Sequence, residues 1–324
     1  MDFFQIIDDI AKVDPELTQR LDPRRAVFRH FMSYGRKVAT SALPLALPAL
    51  FNKAYGQAGG TGSGLPAPVV AVLNLAYQLE HLEKFYYETA LNSPGLLNAE
   101  QTRAFQIILN DENLHIKSLQ GLLRGDAVAA PTRNDFDYTG SNGGTRAPLF
   151  PTLGSVFLNV DQFLAAAKGF VDTGVRAYKG GAPILQTAPN KDVLEAGLNI
   201  HSVEARHSAR IRSFIRGGVQ SAAAPKSWIT PDEVGNPTLP SNYNVPGSAS
   251  NVGPYNAGAP AAAFPAENNT AQGKDPNNQP IDVQSVVTGL PTGAGAEAYD
   301  EPLNGETVKA IAKNFARNPA ALFN

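Results

Sequence analysis

The chain has 324 residues, a hydrophobic fraction of 43% and a formal net charge of -2, from 27 basic and 29 acidic side chains. That is enough apolar material for a sizeable core, and a near-neutral balance with no basic stripe gives no electrostatic case for nucleic acid. With no cysteine in the sequence, disulfides, thiolate–zinc sites, iron–sulfur clusters and thiol catalysis are excluded. Any metal must be held by nitrogen and oxygen, a donor set that suits iron, manganese or zinc.

Residues 1–66 read as an N-terminal extension and linker. A helix is expected from Phe3 to Val13. Arg24-Arg25-Ala26-Val27-Phe28 ahead of the apolar run Val38 to Phe51 resembles a twin-arginine export signal, which would send the protein to the periplasm or beyond. Pro44 and Pro48 interrupt that run, and this favours an N-terminal arm on a cytoplasmic protein. No stretch of 18 apolar residues occurs, so no transmembrane helix is expected. Gln57 to Pro66, rich in Gly, reads as the linker.

Four helical patterns follow within 67–218. The first runs from about Ala67 to Leu91, with an inward stripe of Leu73, Ala76, Glu80, Glu83, Tyr87 and Ala90; Asn92-Ser93-Pro94-Gly95 ends it. The second starts after Asn98, a good N-cap, and carries Phe105, Ile108, Glu112, His115, Leu119 and Leu122 inward before Gly125. A polar loop over 126–150 leads to the third, expected from Thr152 to Tyr178, with Val156, Val160, Phe163, Ala167, Val171, Gly174 and Tyr178 inward and Gly180-Gly181-Ala182-Pro183 as its stop. The fourth runs from about Lys191 to Arg216, with Val193, Ile200, Glu204, His207, Ile211 and Phe214 on one face. Short connections around one long loop predict an all-α four-helix bundle with one crossover, the ferritin-like topology. Residues 219–295 are rich in Pro, Gly, Asn and Ala and show almost no periodicity, so they read as a long irregular segment. Residues 296–324 bring the chain back to the body with a last helix near Asn304 to Arg317.

Two strings carry the chemistry: Glu112-Asn113-Leu114-His115 and Glu204-Ala205-Arg206-His207. Three residues apart on a helix, each Glu and His share one face, and in both helices it is the apolar face. Buried carboxylates and imidazoles need compensation, and a pair of metal ions is one way to supply it. Glu80 is the favoured ligand from the first helix, with Glu83 the second candidate, so the metal set is Glu80, Glu83, Glu112, His115, Glu204 and His207. The third helix carries Val171 where a glutamate would stand. Asp172 beside it shares a face with Lys168, Arg176 and Lys179, which reads as a solvated, salt-paired surface. His201 reads as a flank, His81 and His30 as surface residues, and Tyr77, Tyr87 and Tyr178 as core packing.

The run Asn74-Leu75-Ala76-Tyr77-Gln78-Leu79-Glu80-His81-Leu82-Glu83-Lys84-Phe85-Tyr86 resembles the first helix of ferritin-like domain proteins of the desiccation-related type. Asp172 through Pro183 and Ala298-Tyr299-Asp300-Glu301-Pro302-Leu303 are similar to the same family, and together the likeness covers about 68–217 and 296–317. It implies a ferritin-like bundle with a dinuclear carboxylate site, with Glu80, Glu112, His115, Glu204 and His207 on ligand positions. Val171 departs from the pattern. Two functions follow as expectations. One is a ferroxidase- or catalase-like oxidoreductase using iron or manganese on oxygen or peroxide. The other is a structural or desiccation-protective assembly protein that has lost part of its metal site, its long segment mediating assembly. Either way a homo-oligomer is expected.

Overall fold

The structure, a computed structural model, describes residues 62–150, 153–221, 223, 225–235, 253–286 and 288–324. The helix expected over Phe3–Val13, the Arg24-Arg25 motif and His30 lie outside the described residues. Where the linker enters, Gly62 bridges to Arg124, and Ser63 donates from its N–H and its hydroxyl to Asp126 Oδ2 at 2.6 and 2.5 Å.

The bundle is built from α1 (Ala67–Leu91), α2 (Ala99–Leu123), a short α3 (Leu153–Leu158), α4 (Val160–Leu185) and α5 (Lys191–Ile215). Helices α1 and α2 form one hairpin and α4 and α5 a second; α1 packs on α4 between them, and α2 lies beside α5. The all-α, ferritin-like expectation holds. Asparagines start three of the four long helices. Asn98 Oδ1 accepts from the N–H groups of Glu100 and Gln101 while Gln101 Oε1 accepts from Asn98 N–H, a reciprocal cap for α2. Asn159 and Asn190 cap α4 and α5 in the same sense.

The expected third helix differs in two ways. It is broken at Asn159, because that residue turns extended to cap α4 and so ends α3. It then runs on through Gly180-Gly181-Ala182-Pro183 to Leu185. Those glycines are points of close approach, not a stop. A Cβ on Gly180 would overlap the Leu303 carbonyl, and one on Gly181 would lie 2.8 Å from Val72 Cγ1. Pro183 forfeits one backbone bond near the helix end, where tertiary packing outweighs the loss.

One end of the bundle is an aromatic plug. Tyr86 stacks on Phe163 at 5.0 Å, meets Phe170 edge-on, and donates its hydroxyl to the Phe163 carbonyl at 3.0 Å. Phe105, Phe136, Tyr138, Phe315 and Phe323 complete the plug, all buried.

The segment expected to be irregular carries local structure among its described residues. An antiparallel hairpin pairs β1 (Ala271–Lys274) with β2 (Pro280–Asp282), followed by α6 (Val283–Val286) and α7 (Ala294–Glu297). Asp275 Oδ1 accepts from Asn277 and Gln279 N–H and closes the turn. Strands of four and three residues are too short to show alternation in sequence. The last helix, α8 (Gly305–Ala312), ends in a 3-10 turn over Lys313–Phe315 and packs on α1 and α4.

The face of α4 expected to meet solvent is buried beneath this segment. Lys168, Asp172 and Arg176 are 4%, 1% and 0% exposed. Asp172 Oδ2 accepts from Arg212 and from the Tyr255 hydroxyl at 2.5 and 2.6 Å, and its Oδ1 accepts from Ser208. Glu233 pairs with Lys168 at 2.5 Å and with Arg212 at 2.8 Å. Arg176 donates to the carbonyls of Pro254, Asn256, Pro265, Glu301 and Pro302 and pairs with Glu267 at 2.6 Å. Lys179 donates to the Asp300 carbonyl. Charges at helical spacing look like a wet face only when nothing downstream folds over them.

Candidate metal centre

Midway along the bundle the apolar interior is interrupted by four glutamates. Glu80 and Glu83 come from α1, Glu112 from α2 and Glu204 from α5, each no more than 5% exposed. The helical period brings His115 beside Glu112 and His207 beside Glu204. One donor atom each from Glu80, Glu112, His115 and Glu204 lies within 4.8 Å of the others. Two oxygen or nitrogen ligands on one ion stand at most about 4.2 Å apart, so this spread needs little contraction.

The two imidazoles share two carboxylates. His115 Nδ1 is 3.4 Å from Glu112 Oε2, 3.2 Å from Glu204 Oε1 and 3.1 Å from Glu80 Oε2. His207 Nδ1 is 3.2 Å from Glu112 Oε1 and 3.6 Å from Glu204 Oε1. Glu112 thus offers one oxygen to each imidazole, whose ring centres are 6.2 Å apart. His115 Nδ1 is hydrogen-bonded to Glu80 Oε2, whereas the approaches of the imidazoles to Glu112 and Glu204 are off-axis. Both oxygens of Glu112, both of Glu204 and His207 Nδ1 are buried without an aligned hydrogen bond. Leaving such groups dry costs about 1–3 kcal/mol each, and cations bound among them would remove that cost. The residues present therefore fit a cation held by oxygen and nitrogen.

Around this centre the electrostatics follow from burial and from the imidazoles. Burial pushes the Glu80 and Glu83 carboxyls well above the usual carboxylate range. It opposes ionisation of Glu112 too, but His115 and His207 beside it prevail and hold it down at about 2. Burial works against charged imidazoles, yet the facing carboxylates raise His115 and take His207 up to about 12.

On α4 the position expected for a glutamate is Val171, fully buried in the apolar core. Gly174 of α4 faces the carboxylates, and a Cβ there would stand 3.6 Å from Glu83 Oε1 and 4.0 Å from Glu204 Oε2. Glu83 from α1 fills the room left by an absent side chain there. Asp172 points the other way, into Arg212.

Tyr87 and Tyr178 pack as expected but also bind the carboxylates. The Tyr87 hydroxyl donates to Glu83 Oε2 at 2.7 Å and Tyr178 to Glu80 Oε1 at 2.6 Å. Their spacing of four residues from Glu83 and from Gly174 was the available signal. His81, expected at the surface, is buried, with Nδ1 2.8 Å from the Tyr77 carbonyl, because α1 is covered almost all round. His201 holds the Val175 carbonyl and stays outside the centre. Asp111 is a residue that the sequence reading missed. Its Oδ2 lies 3.1 Å from His207 Nε2 and turns Nδ1 toward Glu112 and Glu204. Replacing Asp111 with alanine should weaken metal binding about 10–100-fold without changing the helical circular dichroism, as read by competition with a chelating dye. An unchanged affinity would mean that the imidazole is oriented by its packing alone.

The two hairpins of the four-helix bundle share this buried carboxylate–imidazole centre. Residues 69–217 match the family model for a ferritin-like domain. No curated protein and no solved structure matches the chain. No helix among the described residues is long and apolar enough to cross a membrane.

Proposed function

We propose that this protein is a metal-dependent oxidoreductase whose centre holds two ions of iron or manganese and acts on oxygen or peroxide. The observation that carries the reading is the set of five buried donor atoms on Glu112, Glu204 and His207 that no hydrogen bond satisfies. Glu80, Glu83, Glu112, His115, Glu204 and His207 would hold the ions, with Glu112 offering one oxygen toward each imidazole. When bound, two such ions supply two electrons, enough with two protons to take one dioxygen to hydrogen peroxide or one peroxide to two waters. The chain's own part is to neutralise, exclude water and hold protons. Tyr178 and Tyr87 keep a hydroxyl proton on Glu80 Oε1 and Glu83 Oε2, and the Tyr86–Phe163 plug closes one end of the centre.

Metal analysis tests this directly. Protein grown with iron and manganese should carry about two ions per chain, falling below about 0.2 in Glu112→Ala, which removes the carboxylate offered to both positions. A wild-type preparation below that level would end the proposal. A second reading, a structural or desiccation-protective scaffold that assembles with copies of itself, draws on Val171 and on the family resemblance. It expects a metal-free protein with an unchanged melting temperature in Glu112→Ala.

A further inference from the structure

The sequence holds two asparagine–glycine pairs, Asn142-Gly143 and Asn304-Gly305. Such a pair can modify itself. The glycine amide nitrogen attacks the asparagine side-chain carbonyl carbon, ammonia leaves, and a five-membered succinimide closes. Water then opens the ring at either carbonyl and leaves aspartate or isoaspartate. Glycine permits the attack because no Cβ crowds its nitrogen. The surroundings decide whether the two groups are free to meet.

At Asn304 they are held apart. This residue is extended at the start of α8, with φ -73° and ψ 151°, and its carbonyl accepts from Val308 N–H at 3.1 Å. Its Oδ1 accepts from Ala259 N–H at 2.8 Å and from the Thr307 hydroxyl at 2.7 Å. A Cβ on Gly258 would stand 2.5 Å from that oxygen, so a second stretch of backbone walls the amide in. Asn142 is different. It lies in a turn with a left-handed φ of 52°, which a short polar side chain tolerates, and Gly143 beside it is exposed. Among the described residues no hydrogen bond holds the Asn142 side chain or the Gly143 N–H. Packing requires glycine there, since a Cβ on Gly143 would stand 2.7 Å from Pro319 Cδ.

We infer that Asn142 is a covalent modification site, converted through a succinimide with Gly143 to aspartate and isoaspartate, while Asn304 stays intact. Water is the one co-reactant and ammonia the product, so the inference stands apart from the metal reading. The site lies on the seam between the 126–150 loop and the C-terminal stretch. Asn142 N–H donates to the Asn314 carbonyl at 2.9 Å, and Gly143 packs on Pro319. Isoaspartate lengthens the main chain by one carbon at that seam and adds a negative charge, so the two stretches lose register and the C-terminal one loosens.

Storage of the full-length protein in mildly alkaline buffer, followed by digestion and mass spectrometry with the change located by fragmentation, tests this. Asn142 should gain one mass unit, in two chromatographically separate forms, at least about tenfold faster than Asn304. In denaturing guanidinium the two should react at comparable rates, because the walls around Asn304 are gone. Stored wild-type protein should also be cut within 314–324 sooner than fresh protein, and Asn142→Gly, which suits the left-handed backbone, should resist that change. Equal rates in the folded protein, or Asn304 reacting first, overturn the inference. An Asn304 that stays inert after unfolding overturns the structural account of its protection. Equal protease sensitivity of stored wild type and stored Asn142→Gly overturns the loosening of the seam.

Discussion

Arg176→Ala is expected to cost about 3–5 kcal/mol of stability, a large share of what holds a domain of this kind folded. The guanidinium is fully buried and reaches five backbone carbonyls on three separate stretches, 254–256, 265 and 301–302. None of those carbonyls belongs to a helix or strand that could satisfy it otherwise. Its carboxylate partner, Glu267, is pushed by burial up to about 8 despite the guanidinium beside it, so it can shed its charge by taking a proton. The loss therefore falls on the carbonyls, which stay polar and dry. The urea midpoint should drop sharply, and proteolysis should begin within 253–303 before the bundle is cut. Lysine at 176 should recover only part of the loss, since one point charge cannot serve donors spread over a planar fork. A midpoint within about 0.5 kcal/mol of wild type would show that the segment is held by its apolar contacts alone.

Metal affinity is expected to rise steeply with pH. Without metal, burial keeps protons on Glu80 and Glu83, and the facing carboxylates keep them on His115 and His207. A metal takes only the deprotonated forms, so protons compete with it at every pH below those raised values. The sign is fixed by that competition: affinity grows as pH rises and falls as pH drops. Loading should release protons from the imidazoles, whose values lie well above this range, so affinity should rise at least about 100-fold per pH unit between pH 6 and 8. Isothermal titration in buffers of different ionisation enthalpy measures the release. A flat affinity across that range would mean that these four groups are not the ones that give up protons to the ions.

How much of this was legible without coordinates depends on how local the signal is. The positions of α1, α2 and α5 follow from apolar residues at a period of 3.6, from Asn98 as a cap and from Asn92-Ser93-Pro94-Gly95 after α1. The same period places Glu112 with His115 and Glu204 with His207 on inward faces, so the presence of a polar centre was readable from two strings of four letters. The break at Asn159 and the run through Pro183 were not, because a cap residue inside an apolar pattern and glycines before a proline carry opposite meanings in different surroundings. Lys168, Asp172 and Arg176 were misplaced for the same reason. Their spacing on α4 is that of a solvated face, and only Tyr255, Glu233 and Glu267, brought back from far along the chain, make that face interior.

By itself, then, the order of residues determined the helices, their inward stripes and the acidic and imidazole groups that meet there, since each depends on neighbours within a turn or two. Tertiary structure alone decided that Asp111 orients His207, that Tyr87 and Tyr178 serve Glu83 and Glu80, that Gly174 leaves room for Glu83, and that the region after the bundle covers α4. Those relations join groups remote in sequence, and chain geometry sets such distances only once the whole domain has packed.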